Sequence, residues 1–265
     1  MKRYFVVGNP IGHSLSPKLH NYWIKKHNIN AKYEKKKLYE IDLKKVISEV
    51  RDKKIDGINV TVPFKNKIIP FLDKLTIEAA KTQSVNTVYM NGKEATGHNT
   101  DIEGFSKSII NLNINLTNKI IFILGAGGVV PSIIFALKKM GASKIIISNR
   151  TKKNAEKLTL LFDNLEIIDW GEVPYFDATI NATSVGLNEG DEIGLDFSKV
   201  GKNKLFYDVI YNPSKTNFLE IGKKLGNIAE NGKLMFIYQA LSAFNLWHKT
   251  NLEVNKEAIK ILEND

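Results

Sequence analysis

The sequence predicts an α/β fold with a doubly wound parallel sheet in its C-terminal half, and three observations carry this prediction. From Ile120 onward, segments of strand and helix character alternate along the chain, which is the pattern of a parallel sheet covered by helices. The five consecutive apolar residues 120–124 suit a strand that is buried on both faces. Gly125, Gly127 and Gly128 follow that strand directly and precede an apolar helical segment.

The glycine segment predicts a phosphate site. A strand, a Gly-x-Gly turn and a helix bring backbone N–H groups to a helix start, where the helix dipole favours an anion. Two alternatives compete with this interpretation. Residues 120–137 are uncharged, as in a membrane helix, but the glycines and Pro131 argue against one continuous helix. An ordinary turn also remains open, because Gly-x-Gly alone is weakly specific and the third fingerprint position is Val130.

The end of the next predicted strand indicates which cofactor binds. An NAD site carries an acidic residue about twenty residues past the glycines, where it binds the ribose hydroxyl. This chain has Asn149, Arg150 and Thr151 there, followed by Lys152 and Lys153. Because a guanidinium pairs with a 2′-phosphate and a carboxylate repels it, the sequence predicts NADP.

Composition excludes several other classes of protein. The chain of 265 residues has no cysteine, which excludes disulfides and thiolate catalysis and fits a reducing compartment. Its first residues show no signal-peptide pattern, so we expect a cytoplasmic protein. The net charge of +10 raises the possibility of nucleic acid, but the lysines are scattered and only Arg3, Arg51 and Arg150 are arginines. We therefore expect a small-molecule substrate, with no nucleic-acid partner, no membrane partner and no metal site.

The N-terminal half also alternates between strand and helix patterns. After a strand at 3–8, Ser16 is expected to cap a helix with Pro17 at its first position, and Ser14 and Ser16 together could hold a carboxylate. A strand at 31–38 and a helix at 43–53 follow.

A third strand is expected at 57–62, and Lys65 follows its carboxyl end, where open α/β sheets place ligands. Two helical pieces to about Lys81 and a hairpin around Asn91-Gly92 come next. Asp101 either binds a ligand or caps the helix at 102–110. A long helix is expected after Gly232, and a last one at 255–262.

Taken in order, these motifs resemble the shikimate dehydrogenase family. The resemblance rests on residues 8–17, 59–65, 84–87, 99–101, 125–128, 149–151, 181–184 and 231–235, together with Gln239. It implies two domains with the site in the cleft between them. Residues 1–102, completed by helices at 238–265, would form an α/β substrate-binding domain, and residues 103–237 a doubly wound Rossmann-type NADP-binding domain.

The resemblance also implies the role of each site residue. Lys65 and Asp101 would be the catalytic pair, and Ser14 and Ser16 would hold the substrate carboxylate. The ring hydroxyls would bind to Thr61, Asn86, Asp101, Tyr211 and Gln239, with Asn59 as a weaker candidate and Lys65 also in contact with substrate. The cofactor would contact Gly125, Ala126, Gly127, Gly128, Val129, Asn149, Arg150, Thr151, Lys152, Lys153, Val209 and Gly232. Val130, Pro131 and Asn154 depart from the residues usual at those positions.

The activity that the resemblance implies is the reversible NADPH-dependent reduction of 3-dehydroshikimate to shikimate, a step towards chorismate and the aromatic amino acids. One alternative is a quinate/shikimate dehydrogenase with broader substrate or NAD use. A second is a non-catalytic NADP-binding regulator of the same fold, which the presence of both Lys65 and Asp101 disfavours. A monomer or a homodimer is expected.

Overall fold

The computed structural model describes residues 1–262. The chain divides into two compact units, each with its own six-stranded sheet. The first unit contains Met1–Gly104 and the chain from Ile237 onward, and the second contains Phe105–Phe236. Within the described residues, none of the helices combines the length and apolar character needed to cross a bilayer.

Elements are numbered in chain order, and those of the first unit form a mixed sheet with helices. Its strands are β1 (Lys2–Gly8), β2 (Ala31–Lys37), β3 (Gly57–Val60), β4 (Lys74–Leu75), β5 (Thr87–Asn91) and β6 (Glu94–His98). Its helices are α1 (Ser16–Lys26), α2 (Leu43–Arg51), α3 (Ile77–Thr82), the start of α4 (Asp101–Asn111), most of α8 (Lys233–His248), and α9 (Lys256–Ile261). Short 3₁₀ turns lie at Glu40–Asp42 and Ile69–Phe71.

The order of strands in this sheet brings the predicted catalytic segments together. The order is β2-β1-β3-β5-β6-β4, with β1 parallel to β2 and β3, and β5 antiparallel to β3. Because β3 and β5 run in opposite directions, the residues that follow β3 lie beside those that precede β5. Val60 N donates to Asn86 O over 2.8 Å, and Val85 N donates to Lys65 O over 2.8 Å. Lys65 and Asn86 are thereby fixed as neighbours.

An aromatic cluster packs against β1 and β3 of the first unit. Its members are Tyr4, His20, Trp23, Tyr33, Phe244 and Trp247. Gly57 permits the approach of Trp247, because an added Cβ would lie 2.4 Å from its indole nitrogen. That nitrogen donates to Val88 O over 3.1 Å. Burial lowers the pKa of His20 to about 3, with a smaller effect of His248, so His20 is a neutral ring of the core.

The second unit is a doubly wound parallel sheet, which confirms the predicted fold class. Its strands are β7 (Ile120–Leu124), β8 (Lys144–Ser148), β9 (Leu165–Ile168), β10 (Ala178–Asn181), β11 (Leu205–Asp208) and β12 (Ile228–Glu230). Its helices are α5 (Val130–Lys139), α6 (Lys152–Glu156), which continues as a 3₁₀ turn at Lys157–Leu160, and α7 (Asn217–Lys224). The strand order is β12-β11-β10-β7-β8-β9. Strands β8 and β9 are added on one side of β7, and β10 to β12 are added on its other side. Ligands of such sheets bind at the switch point between β7 and β10.

Several predicted elements differ from the structure in detail. The predicted N-cap role of Ser16 is wrong, because Leu15 is the cap residue and Ser16 is the first residue of α1. The strand predicted to reach Val62 ends at Val60. The sequence did not predict α7, β12 or the two-residue strand β4, which lies where a helical piece was expected.

Candidate active site

Lys65 and Asp101 form a nearly buried ion pair. Lys65 Nζ lies 2.5 Å from Asp101 Oδ2, and the two side chains are 12% and 8% exposed. Lys65 follows a turn in which Phe64 N donates to Thr61 O, and the buried Phe64 ring anchors that turn in the core. Asp101 is the first residue of α4, where the helix dipole stabilises its negative charge. The pair therefore sits at fixed backbone positions while keeping a small opening to solvent.

Asn86 connects this pair to its surroundings. Its Nδ2 donates to Asp101 Oδ1 over 2.9 Å and to Thr100 Oγ1 over 2.9 Å, and it lies 3.4 Å from Gln239 Oε1. Its Oδ1 accepts from Thr100 N over 2.8 Å and from the hydroxyl of Thr87 over 3.0 Å. With both ends of the amide engaged, the side chain has one orientation. One oxygen of Asp101 is thus held by Asn86 and the other by Lys65.

Ser14 and Ser16 lie together at the start of α1. Ser14 Oγ is 3.2 Å from Ser16 Oγ and accepts from Ser16 N over 3.3 Å. Tyr33 is a buried phenol of the same region, and burial raises its pKa well above the usual range. Tyr33 donates to Asn59 Oδ1 over 2.7 Å. Ser16 does not cap the helix, because it lies inside the first turn of α1, one residue past the cap position.

The remaining predicted substrate residues have different surroundings. Asn59 uses its amide within the protein, because its Nδ2 donates to Asn86 O over 3.1 Å and to Thr87 Oγ1 over 3.0 Å. Thr61 is half-buried, and its hydroxyl makes no hydrogen bond within residues 1–262. Tyr211 belongs to the second unit, where its ring stacks on Phe236 with centroids 4.3 Å apart.

The glycine turn of the second unit has the shape of a phosphate cradle. Gly125 has φ +108°, and an added Cβ would lie 2.8 Å from Ala182 O, so the chain can pass here only as glycine. At Gly127 an added Cβ would have no neighbour closer than 3.9 Å, which leaves room for a ligand. The turn leads into α5, where Val129 is the cap residue without a side-chain cap. Backbone groups at this helix start fit an anionic phosphate.

The residues predicted to bind the 2′-phosphate lie exposed after β8. Arg150, Thr151 and Lys153 are exposed, and Asn149 Nδ2 donates to Thr151 O over 2.7 Å. Lys152 Nζ lies 2.7 Å from Asp169 Oδ1, and this hydrogen bond raises the pKa of Lys152. Asp169 follows the neighbouring strand β9, so an acidic residue lies near this segment although none occupies the position that binds ribose in NAD sites.

Val209 and Gly232 face each other beyond β11. An added Cβ at Gly232 would lie 2.2 Å from Val209 O, so only glycine fits there. Gly232 N donates to Ile210 O over 3.1 Å, and this hydrogen bond holds Gly232 against the segment that contains Val209. Among the described residues, no group of three or more His, Asp or Glu side chains could hold a metal ion.

Sequence reasoning missed residues that support the predicted ones. Thr100 exchanges hydrogen bonds with Asn86, and Tyr33 donates to Asn59. Thr100 lies between two motif residues and could have been found from that position. Tyr33 sits in an ordinary strand pattern, which carries no such signal. The roles predicted for the site residues stay predictions.

Three comparisons relate the chain to known proteins. A family model described as the shikimate dehydrogenase substrate binding domain matches residues 6–88. The chain is 56% identical over 262 residues to a shikimate dehydrogenase (NADP(+)) of Pelagibacter ubique, covering 99% of both chains.

Two solved structures of the same kind also match. The crystal structure of shikimate dehydrogenase from Aquifex aeolicus has a TM-score of 0.89 and 35% identity, covering 100% of this chain and 98% of that one. The Thermus thermophilus enzyme in complex with NADP(H) and shikimate has a TM-score of 0.90 and 29% identity, covering 100% and 99%.

Proposed function

Because the chain belongs to the shikimate dehydrogenase family, as its 56% identity to a full-length relative shows, we propose that it catalyses the reversible, NADPH-dependent reduction of 3-dehydroshikimate to shikimate. The observation that carries this proposal is the ion pair of Lys65 and Asp101. Its atoms are 2.5 Å apart and almost sealed from solvent, and Asp101 accepts from the amide of Asn86, which also lies 3.4 Å from Gln239 Oε1. A chain that only bound the cofactor would have no use for this pair.

The second unit fits the cofactor. The cradle at Gly125–Val129 would hold the pyrophosphate, and Arg150 with Lys153 would meet the 2′-phosphate, because guanidinium and ammonium groups pair with phosphate oxygens. Val209 and Gly232 would line the nicotinamide side. When bound, the cofactor supplies the hydride in reduction and accepts it in oxidation.

The first unit fits a carboxylate on the substrate. The hydroxyls of Ser14 and Ser16 are 3.2 Å apart, so both can donate to one carboxylate. Arg3 and Arg51, the arginines of this unit, are engaged elsewhere: Arg3 lies over the ring of Phe5, and Arg51 pairs with Asp73. Hydroxyl donors rather than a guanidinium fork would therefore bind the carboxylate.

Lys65 and Asp101 would manage the single proton of the reaction. Reduction of a ketone needs a proton on the new hydroxyl, and oxidation needs one removed. Lys65 Nζ has three N–H positions, of which Asp101 occupies one, so another can point to the substrate oxygen. Asn86 fixes the carboxylate of Asp101, which in turn orients the lysine. Thr61, Asn86, Tyr211 and Gln239 would bind the ring hydroxyls.

The proposal also includes features that rest on sequence alone. A cytoplasmic location and a monomeric or homodimeric state stay predictions from composition and resemblance.

One assay tests the proposed activity. Purified protein is mixed with shikimate or quinate, each with NADP or NAD, and the absorbance of the reduced cofactor is followed. We expect the highest kcat/KM with shikimate and NADP. A higher kcat/KM with quinate would favour the quinate/shikimate alternative. Cofactor binding without turnover of either substrate would contradict the proposal and favour the regulator.

A further inference from the structure

Asp208 is a buried carboxylate to which the reaction assigns no role. It ends β11 and is 0% exposed. Its Oδ1 accepts from Ile210 N over 2.9 Å, and its Oδ2 accepts from Thr216 Oγ1 over 2.7 Å. Asn181 Nδ2 lies 3.2 Å from one oxygen and 3.1 Å from the other. Within residues 1–262, no lysine or arginine forms an ion pair with it. Burial raises the pKa of this carboxyl, and the three donors oppose that shift.

One of these donors, Ile210 N, belongs to a segment predicted to contact the cofactor. The bond to Ile210 N fixes the turn after β11, in which Val209 O faces Gly232. Val209 N itself donates to Asn181 O over 2.9 Å. The nicotinamide-side segment is thus tied to the ends of two adjacent strands.

Asn181 extends the same network to the glycine turn. Its Oδ1 accepts from Thr183 N over 3.1 Å and from Thr183 Oγ1 over 2.7 Å. Its Nδ2 also donates to Val185 O over 3.0 Å. These bonds shape the loop after β10, where Ala182 O packs against Gly125. A chain of contacts therefore runs from Gly125 through Asn181 and Asp208 to Val209.

We propose that Asp208 is a positioning residue for the cofactor, because its carboxylate holds the Val209 segment and the loop beside the Gly125 turn in one rigid frame. This inference rests on the proposed function, since it takes those two segments to be the nicotinamide and phosphate sides of the NADP site. Asp208 is sealed from solvent and contacts no ligand itself. It acts through Ile210 and Asn181.

The Asp208→Asn variant breaks this frame with little change in volume. A carboxylate accepts on both oxygens, whereas an amide presents two N–H groups on one side. The Thr216 hydroxyl can rotate to accept one of them. Ile210 N and Asn181 Nδ2 are donors that cannot become acceptors. At least one of them therefore either faces the new N–H groups of the amide or loses the oxygen that accepted its hydrogen bond. The frame loosens while the surrounding apolar core keeps its shape.

The experiment measures NADPH binding to the substrate-free protein by titration calorimetry. For Asp208→Asn we expect the Kd of NADPH to rise about tenfold, as for loss of one charge-assisted interaction. Once both ligands saturate, kcat should stay within about threefold. The matched control is Tyr207→Phe, which removes the adjacent buried hydrogen bond between Tyr207 and Ser108, 2.9 Å long. It should lower the Tm while leaving the Kd within about twofold.

A rescue variant separates positioning from general stability. Asp208→Asn combined with Asn181→Asp restores a donor–acceptor pair between the two strand ends and keeps an acceptor for Thr183, although Val185 O loses its donor, so the rescue is expected to be partial. We expect the Kd to fall at least about threefold from that of Asp208→Asn alone. If Asp208→Asn does not fold, Thr183→Val tests the same frame, with an expected rise in Kd of about threefold.

An unchanged Kd in Asp208→Asn, or in Thr183→Val where that variant replaces it, overturns the inference. A rise in Kd equal to that of Tyr207→Phe does the same. Failure of the proposed function looks different: the parent would bind NADPH, and Asp208→Asn would weaken that binding, but shikimate would not be oxidised. In that case the positioning role of Asp208 holds and the substrate assignment fails.

Discussion

The two units each contain a buried aspartate that accepts a hydrogen bond from an asparagine, and the two aspartates differ in their other partners. Asp101 accepts from Asn86 over 2.9 Å and pairs with Lys65 over 2.5 Å. Within residues 1–262, Asp208 accepts from Asn181 and otherwise only from the Thr216 hydroxyl and a backbone N–H. The Asp101 side chain is 8% exposed to solvent, whereas Asp208 is 0% exposed.

We propose different roles for the two carboxylates because of their partners and not because of their burial. A carboxylate beside a lysine that can reach a ligand is suited to proton transfer. A carboxylate surrounded by neutral, fixed donors ties strands and turns together, because each donor would otherwise be buried without a partner at a cost of about 1–3 kcal/mol. The following changes test this contrast, from the largest expected effect to the smallest.

Lys65→Ala should have the largest effect. It removes the group proposed to donate or accept the proton, and loss of general acid–base catalysis lowers kcat by about 10²–10⁴-fold. The KM for shikimate should change only a few-fold, because the carboxylate and most hydroxyl contacts remain. Steady-state kinetics measure both constants.

Lys67→Ala is the matched control for that variant, since Lys67 lies two residues further along, is exposed and pairs with Glu40. Its kcat should equal that of the parent. A kcat for Lys65→Ala within a few-fold of the parent, under conditions in which chemistry limits the rate, would remove Lys65 from the mechanism.

Combining Lys65→Ala with Asp101→Asn should add little to the loss. Residues that act as a unit are strongly non-additive, because the second change removes a function that is already lost. Asp101→Asn alone should lower kcat and raise the KM for shikimate, since it removes an anchor and an electrostatic partner together. The measurement is kcat for the parent, the two single variants and the double variant. If the loss in the double variant equals the product of the two single losses, the two residues act independently.

Replacing both Ser14 and Ser16 with Ala should mainly affect substrate binding. Each hydrogen bond to a charged group contributes about 1.5–3 kcal/mol, so the KM for shikimate should rise about tenfold or more. The KM for NADP serves as the internal control and should not change. Unaltered shikimate kinetics would show that this serine pair serves only the start of α1.

Two exposed residues after β8 and β9 should change the cofactor preference in opposite directions. Arg150→Ala should raise the KM for NADP about tenfold and leave that for NAD almost unchanged, because only NADP carries the 2′-phosphate. Asp169→Asn should lower the KM for NADP about two- to threefold, since it releases Lys152 from a surface ion pair of modest strength. Both KM values come from initial rates at saturating shikimate, and a shift in the same direction for both variants would contradict this assignment.

Local signals made much of the fold predictable. The five apolar residues of β7 and the glycines after it predicted a strand, a turn and a helix, and the structure has all three. Asn91-Gly92 likewise predicted the hairpin of β5 and β6. In each case the residues that determine the element lie next to one another in the sequence, so packing against distant residues was not needed.

Elements that depend on distant contacts escaped prediction. α7 contains Gly222, which weakens the helix pattern but lets Phe206 approach, because an added Cβ would lie 2.6 Å from that ring. β12 has three residues and exists through its pairing with β11.

Residues of the candidate site also differ in how far the sequence could predict them. Resemblance supplied Lys65, Asp101 and Asn86, whose side chains the structure brings into contact. Asp208 carried no comparable signal, because its main partner Asn181 lies 27 positions away and the two meet only when β10 pairs with β11.

The most direct test of the contrast compares Asp101→Asn with Asp208→Asn at saturating NADPH and 3-dehydroshikimate. The measurement is the single-turnover rate of NADPH oxidation, with the Kd of NADPH determined separately for each variant. We expect Asp101→Asn to lower the rate at least about tenfold with an unchanged Kd. For Asp208→Asn we expect a rate within about threefold of the parent and a Kd raised about tenfold. Equal losses of rate in the two variants, or a weakened Kd in Asp101→Asn alone, would contradict the account.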